Sequence, residues 1–353
     1  MTTETALTPI RWGILATGKI AHAFAADLAL VTGAELVAVG SRRLESAQAF
    51  AEQYGVAHAY GSYEELAADP DVDVIYIATP HSLHLENARL CFEAGKHVLC
   101  EKPLTLSTAD SEQMVALARE HGLFLMEAMW TACHPAIRTL QRRLAAGEFG
   151  TPRLVHAELG FVVNADPSDR MLNPDLGAGA LLDMGIYPLT FAHLMLGPAR
   201  SLTAQADLLV TTGTESGEEG AIDLSVAMTG AYDNGALATM TASMTTWSSG
   251  NAAIATERGR IDVTGFHSPT SIVFTPIGQK ADWTDADTVL DPIVIEPDEP
   301  VLGRGYGNEA AEVGRCLRAG LVESPLVPHE QTLTLMRQME QIRSTTGIRY
   351  PGE

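Results

Sequence analysis

From Arg11 to Glu127 the apolar positions follow two alternating rhythms. Short continuous apolar runs predict strands at Arg11 to Leu15, Glu35 to Val39, Val74 to Ala78, Lys96 to Cys100 and Phe124 to Glu127. Between them apolar residues recur at helical spacing: Ile20, Phe24 and Leu28 in Lys19 to Leu30, then Ala47, Phe50, Ala51 and Tyr54 in Leu44 to Tyr54. Further helices are expected at Tyr63 to Ala68, at Ser82 to Ala94 before Gly95, and at Ala109 to His121 before Gly122. A run such as Val74 to Ala78 suits a strand buried on both faces, and strands alternating with helices imply a parallel, doubly wound sheet.

The rhythm changes between Leu154 and Ile277. Longer, threonine-rich strands are expected at Leu154 to Val162, Ser201 to Val210, Ile222 to Ala227 and Ala236 to Thr246, with one helix around Gly179 to Leu196. This predicts a mostly antiparallel sheet in an α/β domain. Helices return at Gly307 to Ala319 and His329 to Thr346. A chain of 353 residues is long for one core, and two domains are expected, 1–128 and 129–353. The C-terminal helix, about 329–346, is a candidate to pack back on the first of them.

Composition narrows the function. Apolar residues make up 46% and charged residues 19%, as in an ordinary globular protein, but the formal net charge is -21. Such a surface repels nucleic acid and anionic membranes, so neither is an expected partner. Glu215 to Glu219 and Glu296 to Glu299 read as solvated acidic stretches. Cys91, Cys100, Cys133 and Cys316 form no CxxC pair and sit among apolar neighbours, which suits free thiols in a reducing compartment. Met1 to Ile10 lacks the basic and apolar regions of a signal peptide, and no run approaches about 20 continuous apolar residues. The expected location is the cytoplasm.

The chemistry begins at Gly13-Ile14-Leu15-Ala16-Thr17-Gly18-Lys19-Ile20-Ala21, which links the first strand to the first helix. A tight glycine turn at a helix N-terminus suits a pyrophosphate, although Ala16 and Ala21 replace the first and third glycines of G-x-G-x-x-G. Ala16, Thr17, Gly18, Lys19 and Ile20 are therefore cofactor-binding candidates. The second strand runs into Ser41-Arg42-Arg43, with no carboxylate at the tip to hold a ribose hydroxyl. Guanidinium groups there suit a 2′-phosphate, which favours NADP over NAD. Thr79, Pro80, His81 and His84 follow the third strand of the apolar core, where they would line a cofactor and substrate cleft by hydrogen bonding. No third ligand at matching spacing accompanies the two histidines, so no metal is expected.

Glu101-Lys102-Pro103 follows the next strand, with Pro103 a candidate cis-proline. Glu101 and Lys102 join the cofactor-binding candidates. Asp183 and Tyr187 lie four residues apart, on one face if helical. A lysine, a phenol and a carboxylate together suit moving a proton on and off an alcohol oxygen, with the lysine charge polarising that oxygen. Taken alone, Lys102-Pro103 is more often a turn than a catalytic site, and Asp183 and Tyr187 are equally a cap and a packed ring.

The set of motifs resembles the Gfo/Idh/MocA oxidoreductase family. The likeness covers nearly the whole chain. It rests on the glycine turn, Glu101-Lys102-Pro103 and Asp183-Met184-Gly185-Ile186-Tyr187, and on Arg11 to Ile14, Tyr60 to Leu66, Gly122 to Thr131 and Glu323-Ser324-Pro325. Within the family it is nearest to the dimeric dihydrodiol and NADP-dependent D-xylose dehydrogenases, and Tyr187 stands where many relatives have histidine. The resemblance implies an NADP-binding Rossmann domain at 1–128. It further implies a substrate-binding and oligomerisation domain at 129–353, whose large open sheet joins a homodimer or homotetramer. It makes Lys102 and Tyr187 a catalytic pair oriented by Asp183, with Tyr187 the general acid/base. It also places His84, Trp130 and Arg153 with Asp183 and Tyr187 around a sugar, sugar-derived or cyclic diol substrate. Departures at Ala16 and in several loops leave the substrate open. Two alternatives share the fold: a catalytically silent nucleotide-binding regulator, and a sugar transhydrogenase with tightly held cofactor.

Overall fold

The apolar runs of the N-terminal part become β1 (Ile10–Leu15), β2 (Ala34–Gly40), β3 (His58–Tyr60), β4 (Val74–Ile77), β5 (His97–Glu101) and β6 (Leu125–Ala128). In the computed structural model, which describes residues 8–166, 168–278 and 288–351, these strands pair in parallel in the order β3-β2-β1-β4-β5-β6. The connections are α1 (Lys19–Leu28), α2 (Leu44–Tyr54), α3 (Tyr63–Ala67), α4 (His84–Glu93) and α5 (Thr108–His121). Serine hydroxyls start two of them: Ser62 Oγ accepts from Glu65 N at 3.2 Å, and Ser107 Oγ from Asp110 N at 3.1 Å. All four residues of β4 are buried, as its unbroken apolar run requires of a central parallel strand. This order reverses direction between β1 and β4, and ligands bind beyond the C-terminal ends of such strands. The short β3 was not expected from the sequence; three residues carry too little pattern to show.

The chain divides into two units, Met1–Cys133 with Val301–Leu333, and His134–Pro300 with Thr334–Glu353. The first unit thus also holds α6 (Trp130–Cys133) and a C-terminal piece. Asp27 of α1, buried, accepts from Arg304 N at 2.7 Å and Tyr306 N at 3.1 Å.

The second unit contains α7 (Pro135–Ala145), β7 (Pro152–Gly160), α8 (Ile186–Leu196), β8 (Ala199–Thr212), β9 (Glu219–Tyr232), β10 (Leu237–Ser243), β11 (Ala252–Thr256), β12 (Gly259–Thr264), β13 (Ser271–Pro276) and β14 (Ile293–Val294). The sheet order is β14-β13-β12-β11-β7-β10-β9-β8, and among these pairs β7 with β10 is parallel and the rest antiparallel. Helix α8 packs against β7 and β10. On the opposite face Leu154 and Leu237 are cross-strand partners, 55% and 52% exposed, beside the His156 and Thr239 pair. In the C-terminal part, α9 (Tyr306–Arg318) belongs to the first unit, whereas α10 (His329–Thr346) contributes residues to both.

The helix expected at 179–196 begins as a π turn, Leu181–Gly185, and becomes α-helical only at Ile186. Pro188 gives the reason. A proline inside a helix removes one N–H and crowds the carbonyl four residues back, here that of Met184. A widened turn with i→i+5 bonding relieves both. Residues 174–196 are apolar and long enough by composition to span a membrane, yet 83% of that window is buried in the fold, as in a core helix. Helix α7, missed in the sequence, starts at Pro135 with His134 as its cap, so the usual Ser, Thr or Asp signal is absent.

Candidate functional site

The expected residues form two groups, one in each unit. In the first unit, β1 ends at Leu15 and the chain turns at Ala16, whose φ of 83° is the only positive value for a non-glycine among the described residues. Ala16 N donates to Gly40 O at 2.9 Å, tying the ends of β1 and β2 together. Gly18, the N-cap of α1, is exposed, and nothing lies within 4 Å of where a Cβ would stand. No side chain caps α1, and its first turn has no acid. Bare N–H groups, an open approach and an uncompensated positive helix end fit an anionic pyrophosphate.

Ala16 holds a left-handed conformation that costs an L-residue about 1 kcal/mol and glycine almost nothing. Ala16→Gly is therefore expected to stabilise the protein by up to about 1 kcal/mol, raising the melting temperature by roughly 1–2 °C. Thermal melts without nucleotide test this. A lower melting temperature would show that the turn is not strained.

Beyond β2, Ser41 is buried while Arg42 and Arg43 are exposed. The Arg42 charge beside the Tyr63 phenol partly offsets the burial that raises the phenol's pKa. Among the described residues no carboxylate follows this strand before Glu45.

The loops after β4 and β5 are tied together. The Lys102–Pro103 peptide is cis. Glu101 is buried; Oε1 accepts from the Tyr76 hydroxyl and Oε2 from Lys102 N at 3.2 Å. Burial, then the Glu101 charge, push the Tyr76 phenol well above its ordinary pKa. Glu127, which the sequence gave no reason to single out, accepts from Leu104 N at 3.0 Å and from the Thr332 hydroxyl at 2.8 Å. Burial raises its carboxyl to about 7, against the lowering effect of these bonds and of the Lys102 charge. Thr79 Oγ1 accepts from Asn87 Nδ2 at 3.1 Å. His81 is buried, its ring 5.8 Å from that of His84.

His84 departs from expectation. It is fully buried, with Nε2 2.9 Å from Thr79 O and Nδ1 3.1 Å from both Pro103 O and Leu104 O. The ring joins the two loops and offers no face to a cleft; burial lowers its pKa, favouring the neutral form. Trp130, also buried, stacks on Tyr306 at 4.4 Å. Among the described residues the nearest approach to a metal-ligand cluster is His58, Asp69 and Asp71. Its charges are already engaged: His58 Nδ1 is 2.7 Å from Asp69 Oδ2, and Asp71 takes Arg11 at 2.9 Å.

In the second unit, Asp183 lies in the π turn and Tyr187 in the first turn of α8, both buried. Arg170 Nη1 donates to Asp183 Oδ1 at 2.9 Å, tying this residue of a polar loop to the π turn. The Tyr187 ring meets His267 edge to face at 5.8 Å. Arg153 does not join them. Expected among the substrate-lining residues, it is exposed near the start of β7 and reaches Asn234 O at 3.4 Å.

Residues 10–129 match the Gfo/Idh/MocA oxidoreductase family, NAD-binding Rossmann fold, and residues 137–263 match the Gfo/Idh/MocA C-terminal domain. The chain is 35% identical to trans-1,2-dihydrobenzene-1,2-diol dehydrogenase of Mus musculus, over 98% of this chain and 99% of the relative. It is 36% identical to the NADP(+) D-xylose 1-dehydrogenase of Hypocrea jecorina, over 97% and 93%. A 3-ketoreductase from Actinomadura kijaniata, solved in complex with NADP and TDP-benzene, superposes with a TM-score of 0.77 at 26% identity, over 96% of this chain and 98% of that one. With the doubly wound sheet, the bare glycine turn and relatives matched end to end, the chain belongs to the Gfo/Idh/MocA family of oxidoreductases.

Proposed function

We propose that this oxidoreductase transfers hydride between NADP and a carbon bearing a hydroxyl or carbonyl group, on a sugar, sugar derivative or cyclic diol. The observation that carries the reading is Tyr187, a buried phenol in the same helical segment as an arginine-paired carboxylate. The relatives support it: the mouse and fungal proteins are dehydrogenases of a cyclic diol and of xylose, the fungal one NADP-dependent, and the ketoreductase binds NADP.

Ala16, Thr17, Gly18, Lys19 and Ile20 would hold the pyrophosphate by main-chain N–H groups, and Ser41, Arg42 and Arg43 the 2′-phosphate. Thr79, Pro80, His81, Glu101 and Lys102 complete this cofactor-binding set. Donating or accepting hydride is the chemistry that NADP supplies when bound. Tyr187 gives its proton to the oxygen in reduction and takes it back in oxidation. Lys102 stabilises negative charge on that oxygen, and Asp183, fixed by Arg170, orients the phenol. Trp130 contributes an apolar wall to the substrate site. His84 and Arg153 leave this list, His84 becoming a loop tie and Arg153 a surface residue. The exposed sheet face around Leu154 and Leu237 is the expected surface for a second copy of the chain. Four buried cysteines outside any disulfide fit a cytoplasmic location.

The test is a panel of aldoses, inositols, ketosugars, diketones and trans-dihydrodiols, followed by nicotinamide absorbance with both cofactors. Turnover of a panel member with NADP supports the reading, and none with either cofactor overturns it. Arg42→Ala is expected to weaken NADP binding about 10- to 100-fold, the loss of one charge-assisted contact to phosphate, and NAD binding less than about threefold. Equal losses for both cofactors would remove Arg42 from the 2′-phosphate.

A further inference from the structure

The helical segment bearing Asp183 and Tyr187 emerges from Gly177-Ala178-Gly179-Ala180, which has almost no side chain with which to hold itself. Ala180, at the N-cap position of the π turn, provides no capping bond. Two side chains from distant positions in the second unit fill that role. Asp223 of β9 is fully buried, and its Oδ2 accepts from Leu181 N at 2.7 Å. The Tyr350 hydroxyl, near the C-terminus, donates to Ala178 O at 2.8 Å.

Between these anchors Gly179 adopts a φ of 121°, and a Cβ there would stand 2.4 Å from Asp223 Oδ1. The carboxylate is therefore pressed against a position that tolerates glycine alone. Among the described residues Asp223 Oδ1 has no hydrogen-bond partner. A buried carboxylate with one unsatisfied oxygen is costly, and functional sites are where such costs persist.

We propose that Asp223 and Tyr350 are positioning residues that clamp 177–181 and so set the placement of Asp183 and Tyr187 for proton transfer. The proposal rests on Tyr187 being the acid/base. The clamp acts by shape and by one oxygen acceptor. Burial raises the Asp223 carboxyl to about 7, while the Leu181 bond and the Arg343 charge oppose the rise. In either protonation state it presents an oxygen to Leu181 N. The other charged groups on the packed elements are engaged or outlying. Asp183 is paired with Arg170, Asp175 takes Glu215 N and Ser216, Asp207 is exposed on β8, and Arg349 lies on the segment paired with Ala221. The Arg343 guanidinium sits 4.5 Å from the centre of the Tyr350 ring, bracing it from α10.

A displacement of about 1 Å in a reacting group is enough to lower a rate about 100-fold. Asp223→Ala is expected to lower kcat roughly 10- to 100-fold, measured with NADP and the best substrate of the panel above. Asp223→Asn, which keeps the oxygen and the shape, is expected within about threefold of wild type. Tyr350→Phe keeps the ring and loses the hydroxyl, for a fall of about three- to tenfold. NADP affinity should stay within about twofold in all three, and amide hydrogen exchange across 177–187 should rise in Asp223→Ala and Tyr350→Phe. Wild-type kcat and exchange in a folded Asp223→Ala would overturn the clamp, as would Asp223→Asn being as impaired as Asp223→Ala. If Asp223→Ala does not fold, Tyr350→Phe decides by the same readouts. Tyr187→Phe is run alongside. Full turnover in that variant removes the acid/base reading and this proposal with it, whereas its collapse beside unimpaired clamp variants removes the clamp alone.

Discussion

Tyr187→Phe is expected to lower kcat by about two to four orders of magnitude while leaving NADP affinity within about twofold. That range is what a positioned general acid/base contributes. The substitution deletes one oxygen and little else. The ring keeps its edge-to-face contact with His267, and the arginine pairing of Asp183 is untouched. The melting temperature should therefore move by no more than a few degrees. The proposed NADP contacts lie in the other unit, so its dissociation constant, read from nicotinamide fluorescence, reports on residues the mutation does not touch. A variant that turns over at the wild-type rate would sink Tyr187 as the proton-handling group. One that loses NADP affinity in step with kcat would make it a binding residue instead.

How much of this was visible in the chain follows from the range of the interactions. Strands such as Val74–Ile77 are buried on both faces, so their apolar runs are unbroken and their positions plain. Helix α10 was read end to end as His329–Thr346. The second sheet was harder to delimit because its strands run on into residues that face water. Strand β9 was expected to end at Ala227 but continues through Thr229, which pairs across the exposed face with Thr203. The acidic stretches at 215–219 and 296–299 are largely exposed, as their composition suggested.

The candidate site divides the same way. Lys102, Asp183 and Tyr187 sit in compact motifs and could be named from neighbours in sequence. Glu127 and Asp223 could not, because their partners are remote. Thr332 is 205 positions from Glu127, and Leu181 is 42 from Asp223. His84 was recognised as part of the loop, but periodicity does not reveal that three main-chain carbonyls surround its ring. The π turn also has no compositional signature of its own, and Pro188 inside an otherwise apolar helix was its one visible trace.

Lys102→Met is expected to lower kcat/KM about 100- to 1000-fold, or about 2.7–4 kcal/mol of transition-state stabilisation, the range seen when one preorganised electrostatic partner is removed. Methionine keeps the unbranched stem and removes the charge. The turn should survive, because other groups hold it: Glu101 takes the main-chain N of residue 102, Glu127 takes Leu104 N, and His84 faces the carbonyls of Pro103 and Leu104. A second readout does not depend on activity. The Glu127 carboxyl is raised to about 7, so the folded chain holds its proton more tightly than the unfolded chain does. Its contribution is thus fully present below the ordinary carboxylate range and is lost as pH rises through about 7. The Lys102 charge lowers this pKa, so removing it should push Glu127 further up and carry the loss of stability to higher pH. Thermal melts of both proteins between pH 5 and 9 would show the variant's decline displaced upward. A kcat/KM within tenfold of wild type would refute the electrostatic role of Lys102. An unshifted melting profile would show that its charge does not reach Glu127.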